Sequence, residues 1–581
     1  MQVTKYISAT AMLAVLAAPA FAQTVIIQDL PGVAQNSGAS VSISSPGRLV
    51  SSIETQESTN LANTVGFGGA VGVASPYSIS QTADAPSISA FGNPLVIQNA
   101  VNQNSATSTA PALSDVTVGN TQTATNALNF TNIAPPSGST GSISQIVSNA
   151  AFNASNAMSA TAQNGNASVI GAGAGQTATS MFNTGYAVVN TSTDLTIKQR
   201  LGDANSISAT NSAIANSLSG SNILDPSVQN LKQSSSVDVN RMSLPSSNGA
   251  AAVSLTGSQN GTTPQDGVLP DRFQVTVGNT AAAFTGVNNG SYNLGTNASG
   301  NGISTISGVT QNAGFGLNNV SGGANVSIAM QLNPTPVNDA GTPLYGFAFV
   351  PGDGFTQSVD GTFIGNAPGK VGQPVYTPAA NVLDGVVNGM AARTNTGSSS
   401  VTGTPATLTQ GYSMAINTIN TGGSLSGLGT QAAKGIQQTN SVYMQGPLPI
   451  GGYANAVVAD ATNGPATIKD VSQSMDQTIN LAKAAGTAPG IALAQTGSDI
   501  RLASNNVQVA LGSSSATISG AQQGANSALN VAILGNVTGT ISQSTGGTVA
   551  LTAMNQMASL SAYNASTAGV QVSSTSINVI K

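Results

Sequence analysis

Glutamate occurs at two positions in this chain of 581 residues, Glu54 and Glu57, and Lys and Arg together number 14. A surface helix needs such residues on its wet face at a spacing of about 3.6 residues. The chain cannot supply them, so helix is barred from most of it. Val, Ile, Thr and Ser are abundant instead and favour strands, while 66 Gly favour turns. Charged residues make up 6% of the chain, against about 25% in an ordinary soluble domain. Hydrophobic residues reach 40%, aromatics 4%, and Trp is absent. A core must therefore be built of Ala, Val, Ile and Leu.

Cys and His are missing altogether. Disulfides, thiolate nucleophiles, histidine bases and ordinary zinc sites are excluded, and no cofactor is expected. The few cations are scattered and the formal net charge is −5, so no basic face exists to neutralise nucleic-acid phosphates. Residues 1–22 read as a secretory leader: Lys5, the apolar stretch "ISATAMLAVLAA", then Ala20-Phe21-Ala22 as a small-x-small cleavage site. Removing Lys5 with the leader takes the charge from −5 to −6. No later apolar run approaches the roughly 20 residues of a spanning helix, so no transmembrane segment is expected in the mature chain. An exported protein of the extracellular space or outer cell surface is the expectation.

A short pattern recurs along the chain: apolar, any residue, Gln. It places Gln81, Gln98, Gln145, Gln199, Gln233, Gln311, Gln410, Gln438, Gln473 and Gln543 in similar surroundings, with Asn and Ala following. Gln98, Gln122 and Gln145 are 24 and 23 residues apart in succession. Within a unit the pattern has period two: Val471, Gln473, Met475, Gln477, Ile479 and Leu481 would share one face of a strand. If each unit of about 22 residues is one coil of a β-solenoid, equivalent residues stack about 4.8 Å apart. Stacked charges at that distance repel by nearly 1 kcal/mol even in water. Stacked amides donate to one neighbour and accept from the other. This explains a stretch such as "ISQIVSNAAFNASNAMSA" (143–160), too polar for an ordinary core and too apolar for a linker. One helix is expected, where Val382, Leu383, Val386, Val387 and Met390 have helical spacing.

The span 245–400 differs. It holds Phe273, Phe284, Tyr292, Phe315, Tyr345, Phe347, Phe349, Phe355, Phe363 and Tyr376, punctuated by Pro and Gly. Large aromatics between turn signals suggest an inserted, sandwich-like β domain. The expected organisation is a leader (1–22), an N-terminal Asn/Gln β-repeat region (23–244), the inserted domain (245–400) and a C-terminal repeat region (401–581). The fold class is all-β, a parallel β-helix-like solenoid array carrying an insertion.

Segments such as "SGAQQGANSALN" and "TVGNTQTATNALN" resemble the curlin-type repeats of bacterial functional amyloids, and "VTQNAGFGLNNVSGGANVSI" is similar to Asn-rich repeats of other secreted fibre subunits. Holdfast-anchoring surface proteins share this character. The resemblance covers about half the chain and implies an adhesin, or a fibre or matrix subunit of the cell surface. Self-association, other surface fibre subunits and extracellular polysaccharide are the partners it implies.

The competing class is a carbohydrate-active β-helix enzyme, a polysaccharide lyase or hydrolase. Its candidates are neighbouring carboxylates: Glu54/Glu57, Asp266/Asp271, Asp353/Asp360 and Asp470/Asp476. Glycoside hydrolysis needs two carboxyls about 5–10 Å apart. "QDG" and "GDG" are turn sequences first, because Asp-Gly favours tight turns. Calcium among Asp353, Asp360 and nearby carbonyls lacks any twelve-residue EF-type loop. "GAGAGQTATS" (171–180) lacks the Lys of a phosphate loop. No catalytic, cofactor or metal residue is assigned, and the amide positions are expected to be structural.

Overall fold

A computed structural model describes residues 23–581 except 31, 84–95, 149, 172–174, 190, 202–206, 220–224, 247–250, 261–272, 286–301, 329–354, 361, 367–385, 395–396, 404–406, 435, 440–452, 462–463, 503, 510–514, 552, 554, 556 and 560–563. The expected leader lies outside the described residues. The rest is all-β: strands pair in parallel throughout, forming a β-solenoid-like array.

Strand pairing follows three lines along the chain. The first side runs through Thr24–Asp29, Tyr77–Ala83, Ser139–Val147 and Thr193–Leu201 and onward to residues 537–550. The second runs through Val33–Ser45, Val96–Ser108, Ala150–Ala162 and Ile207–Ser219 to Met557–Ser559. The third runs through Leu49–Val65, Ser114–Ala134 and Gln176–Ala187 to Asn564–Ile580. Each coil visits the three sides in that order.

This register corrects the coil length. Gln122 pairs with Gln56 and Gln176, whereas Gln98 lies opposite Gln35 and Phe152, and Gln145 opposite Gln81 and Gln199. A unit of about 22 residues is thus one side of a coil, and residues stack on partners a whole coil away. That separation is 53 residues between Gln28 and Gln81, 64 between Gln81 and Gln145, and 48 between Gln495 and Gln543. It rises to 98 between Gln259 and Gln357. The longest insertions, 329–354 and 367–385, interrupt a side, since the strands flanking each pair with one and the same neighbour; they lengthen the middle coils without breaking the ladders, consistent with the slow growth of loop-closure cost with length.

Among the described residues the interior holds three long apolar columns and a small alanine cluster of Ala100, Ala124, Ala154 and Ala178. Ile79, Ile143 and Ile133 belong to one. Val147, Leu201, Ala150, Leu128 and Phe182 belong to a second, and Met158, Ala160, Val116 and Val169 to a third. The columns lie where sides meet, because successive inward positions alternate apolar, amide, apolar, as in Ile143, Gln145 and Val147. Phe152 and Phe182 stack with centroids 4.7 Å apart. Tyr77 lies over Gly141, where an added Cβ would stand about 2.0 Å from its ring. A glycine is thus required opposite the Tyr77 ring.

Two local expectations change. Val386–Thr394 is a strand, with Asn388, Met390 and Ala392 buried, not a helix; residues 381–385 lie outside the description. The spacing of Val386, Val387 and Met390 fits both periods, and pairing with Phe273–Thr285 and Tyr453–Ala461 decides it. In the strand Val471–Arg501, Val471, Gln473, Met475, Gln477 and Ile479 face inward as expected, but Leu481 is half-buried and Ala482 is buried. Asn480, at φ 57°, resets the alternation.

The described strands of 245–400, including Ala252–Asn260, Phe273–Thr285 and Thr310–Gly322, are rungs of the same array. Phe315 and Phe355 are buried in its columns. Tyr292, Tyr345, Phe347, Phe349 and Tyr376 lie outside the described residues.

Candidate functional site: amide ladders and open ends

The sequence-predicted glutamines separate into different ladders. On the first side Gln28, Gln81, Gln145, Gln199, Gln259, Gln357, Gln431, Gln495 and Gln543 form one unbroken series. Each amide N–H donates to the Oε1 of the glutamine one coil earlier, at 2.7–2.8 Å. On the third side Gln56, Gln122, Gln176, Gln233, Gln311, Gln410, Gln473, Gln523 and Gln571 form a second series with the same polarity. Gln98 donates to Gln35 and ends a two-member ladder, because Phe152 takes the next position. The Gln438 backbone lies opposite Ile364 rather than a glutamine; its side chain is outside the description.

Sequence reasoning missed a third series. Asn63, Asn129, Asn183, Asn240, Asn318, Asn417, Asn480, Asn530 and Asn578 all have positive φ, between 49° and 57°. Their side chains form a ladder of opposite polarity, each Nδ2 donating to the Oδ1 of the next coil. Asn tolerates the left-handed region because its short amide bonds locally. Each of these asparagines follows a third-side glutamine by seven residues: Gln56/Asn63, Gln122/Asn129 and so on to Gln571/Asn578.

The ladders also lock the sides together. Gln145 donates to the backbone carbonyl of Asn129, and Asn129 Nδ2 donates to the carbonyl of Ile146 at 2.8 Å. The same exchange joins Gln199 with Asn183, Gln431 with Asn417 and Gln543 with Asn530. A second set links the other junction: Gln410 donates to the carbonyl of Asn388, and Asn388 Nδ2 donates to the carbonyl of Gly411. A buried amide therefore bonds both along the axis and across the interior. This is how polar groups survive at zero exposure.

The amides at the two ends are only partly used. Gln543 and Gln571 donate to the rung before them, but no described group donates to their Oε1 atoms. At the other end Gln28 and Gln56 accept ladder bonds from Gln81, Gln122 and Asn120, while their Nε2 atoms meet only backbone carbonyls, of Thr64 and Gln103. The final strand, Asn564–Ile580, is exposed along nearly its whole length.

Elsewhere on the surface, Asp194, Ser254, Ser327 and Ser426 stack rung on rung and line a shallow groove on the first side. Of the candidate carboxylates, Glu54 and Glu57 are exposed on the first coil. Asp470 sits in an exposed pair with Lys469 at 3.9 Å, and Asp476 accepts from Asn526. Asp266, Asp271 and Asp353 lie outside the described residues, as does the Asp360 side chain. Among the described residues, no three His, Cys, Asp or Glu gather as metal ligands. Arg393 and Asp460, on adjacent rungs of the second side, pair at 2.8 Å. Burial pushes the Asp460 carboxyl up, and Arg393 opposes that shift. Asp460 is buried and Arg393 half-buried.

Comparison with protein-family models, with curated proteins and with solved structures finds no match to this chain. The class is defined by its own geometry: a parallel β-solenoid-like array with buried Asn/Gln ladders.

Proposed function

We propose that the chain is an exported structural protein of the bacterial surface, an adhesin or a fibre or matrix subunit of the functional-amyloid or holdfast-anchor kind, and not an enzyme. The observation that carries this reading is the continuity of the interior. Among the described residues the same amide ladders and apolar columns run from the first coil to the last, with no interruption of the ladders. Hydroxyl rows on the outer face such as Ser254, Ser327 and Ser426 suit contact with hydrated polysaccharide. The leader at 1–22 supports export. An inserted sandwich-like domain remains part of the proposal, confined to the long segments between rungs within 245–400.

Antibody labelling of intact cells, together with surface attachment of cells lacking the protein, tests the reading. Surface label and lost attachment are expected. Protein confined inside the cell would contradict it, and release of sugar fragments from polysaccharide by the purified chain would favour the lyase or hydrolase class.

A further inference from the structure

The amide ladders are directional, so the two ends of the array differ. Gln543 and Gln571 present acceptor oxygens with no ladder donor among the described residues, while Gln28 and Gln56 present Nε2 groups with no ladder acceptor. The asparagine ladder runs the other way. Asn578 accepts from Asn530, leaving its Nδ2 without a ladder partner, and Asn63 donates to Asn129, leaving its Oδ1 without one. Every acceptor without a ladder partner thus has, at the opposite end, a donor without one.

The spacing matches as well. Gln571 and Asn578 are seven residues apart, as are Gln56 and Asn63, so one register satisfies both ladders. The apolar columns agree. The partly buried apolar residues packed against them belong to the two ends: Ile26, Leu30 and Val33 at one, Ile541, Val549 and Leu551 at the other. Setting Gln28 over Gln543 sets Ile26 over Ile541. Residues 537–550 and 564–580 carry no charge, so Asp29, Glu54 and Glu57 of an incoming first coil meet no like charge. An uncovered strand edge is otherwise an aggregation hazard that proteins blunt with charge or caps.

Resting on the structural reading above, we infer that a second copy of this chain seats its first coil on the last coil of the first copy. Gln28 continues the ladder of Gln543, Gln56 that of Gln571, and Asn63 that of Asn578. The contact is head-to-tail and translational along the axis, so it does not close on itself and generates an open filament. Head-to-head contact would set donors against donors. Nine rungs at about 4.8 Å give an axial repeat of about 43 Å.

Two experiments on the mature chain test this. Sedimentation at micromolar concentration is expected to show filaments for the natural sequence and monomers for the double variant Gln543→Lys/Gln571→Lys. These lysines set ammonium groups against amide donors at positions that are half-buried or exposed in the single copy, and an unchanged circular dichroism spectrum and melting temperature show that the variant folds. The double variant Asp29→Cys/Ser544→Cys, in a chain with no other Cys, is expected to give an oxidised ladder of multimers, because those positions meet in the inferred register. A natural chain that stays monomeric overturns the inference but leaves a solitary adhesin, which surface labelling tests separately. Filaments that persist with both lysines, or that fail to cross-link through the cysteine pair, overturn the head-to-tail register while the fibre reading stands.

Discussion

Gln145 and Gln571 carry the same side chain in the same kind of parallel strand, yet they live in different surroundings. Gln145, in the third coil, is fully buried; it donates to Gln81 and to the carbonyls of Asn129 and Thr184, and accepts from Gln199. Gln571, in the last coil, is exposed and makes one side-chain bond, to Gln523. An amide gains its value here from having a rung on each side. In the inner coils it replaces water on all its polar atoms, and at the ends water still does half the work.

The sharpest contrast should come from removing the amide. Gln145→Leu removes the donor to two backbone carbonyls and the acceptor of Gln199 inside a dry interior, and leaves the Gln81 oxygen with the Thr131 hydroxyl as its one remaining donor. At about 1–3 kcal/mol for each buried group left unsatisfied, partly relieved by relaxation, a loss of about 4 kcal/mol is expected. Gln571→Leu in the single copy should cost under about 1 kcal/mol, because water satisfies what it leaves. Urea unfolding midpoints compare the two, and equal shifts would erase the distinction between inner and end rungs.

Asn129→Gly against Asn578→Gly makes the same comparison for the asparagine ladder. Glycine keeps the positive φ at no steric cost, so the substitution isolates the side-chain bonds. The inner variant loses its bonds with Asn63 and Asn183 and its bond to Ile146, for about 2–3 kcal/mol. The end variant should lose less than half of that by the same measurement.

The dry inner coils should also set an alkaline limit. The Tyr77 and Tyr412 hydroxyls are buried with no hydrogen-bond partner. Burial pushes Tyr77 up to about 12 and raises Tyr412 as well. The unfolded chain ionises its tyrosines near pH 10 while the folded one keeps these two neutral, so stability is full below pH 10 and falls as pH rises toward 12. From Tyr77 alone the loss is about 2 kcal/mol by pH 12. Tyr77→Phe with Tyr412→Phe should flatten the melting temperature over that range, and an unchanged slope would mean that the rings are hydrated.

The smallest effect belongs to the surface. Lys469 and Asp470 pair at 3.9 Å with both side chains about half exposed. Lys469→Ala should move the unfolding midpoint by no more than about 0.5 kcal/mol. A larger shift would mean that charge, and not amide stacking, carries stability along this side.

The β class, the parallel stacking and the amide ladder were legible from scarce charge and the recurring apolar-x-Gln pattern. Coil length was not. Insertions within and between sides spread the separation of stacked partners from 48 to 109 residues, so the regular interval in sequence is that from side to side, which looks like a coil. Several ladder members were hidden because Gly or Ala stands two residues before the glutamine, as at Gly257/Gln259 and Gly429/Gln431. At Gly257 φ is 107°, and an added Cβ would stand about 1.9 Å from the Ile197 carbonyl oxygen, so no apolar side chain fits there. The fixed seven-residue step from glutamine to left-handed asparagine was present in the sequence throughout. It went unread because asparagine is common everywhere in this chain and the step stands out only once the strand register is known.

The central claim is that stacked neighbours lie one three-sided coil apart, and a pair of cysteines tests it most directly. Ser78 and Ser142 are register partners on the first side, with hydroxyl oxygens 3.3 Å apart. Thr121 and Ser144 precede successive glutamines of the side-to-side repeat but lie on different sides. In-register parallel neighbours have Cα atoms within the roughly 4.4–6.8 Å that a disulfide spans. Mild oxidation of the Ser78→Cys/Ser142→Cys chain should close an intramolecular disulfide, read as a faster band on a non-reducing gel, while Thr121→Cys/Ser144→Cys stays reduced. Cross-linking of the second pair and not the first would contradict the three-sided coil and restore one of about 22 residues.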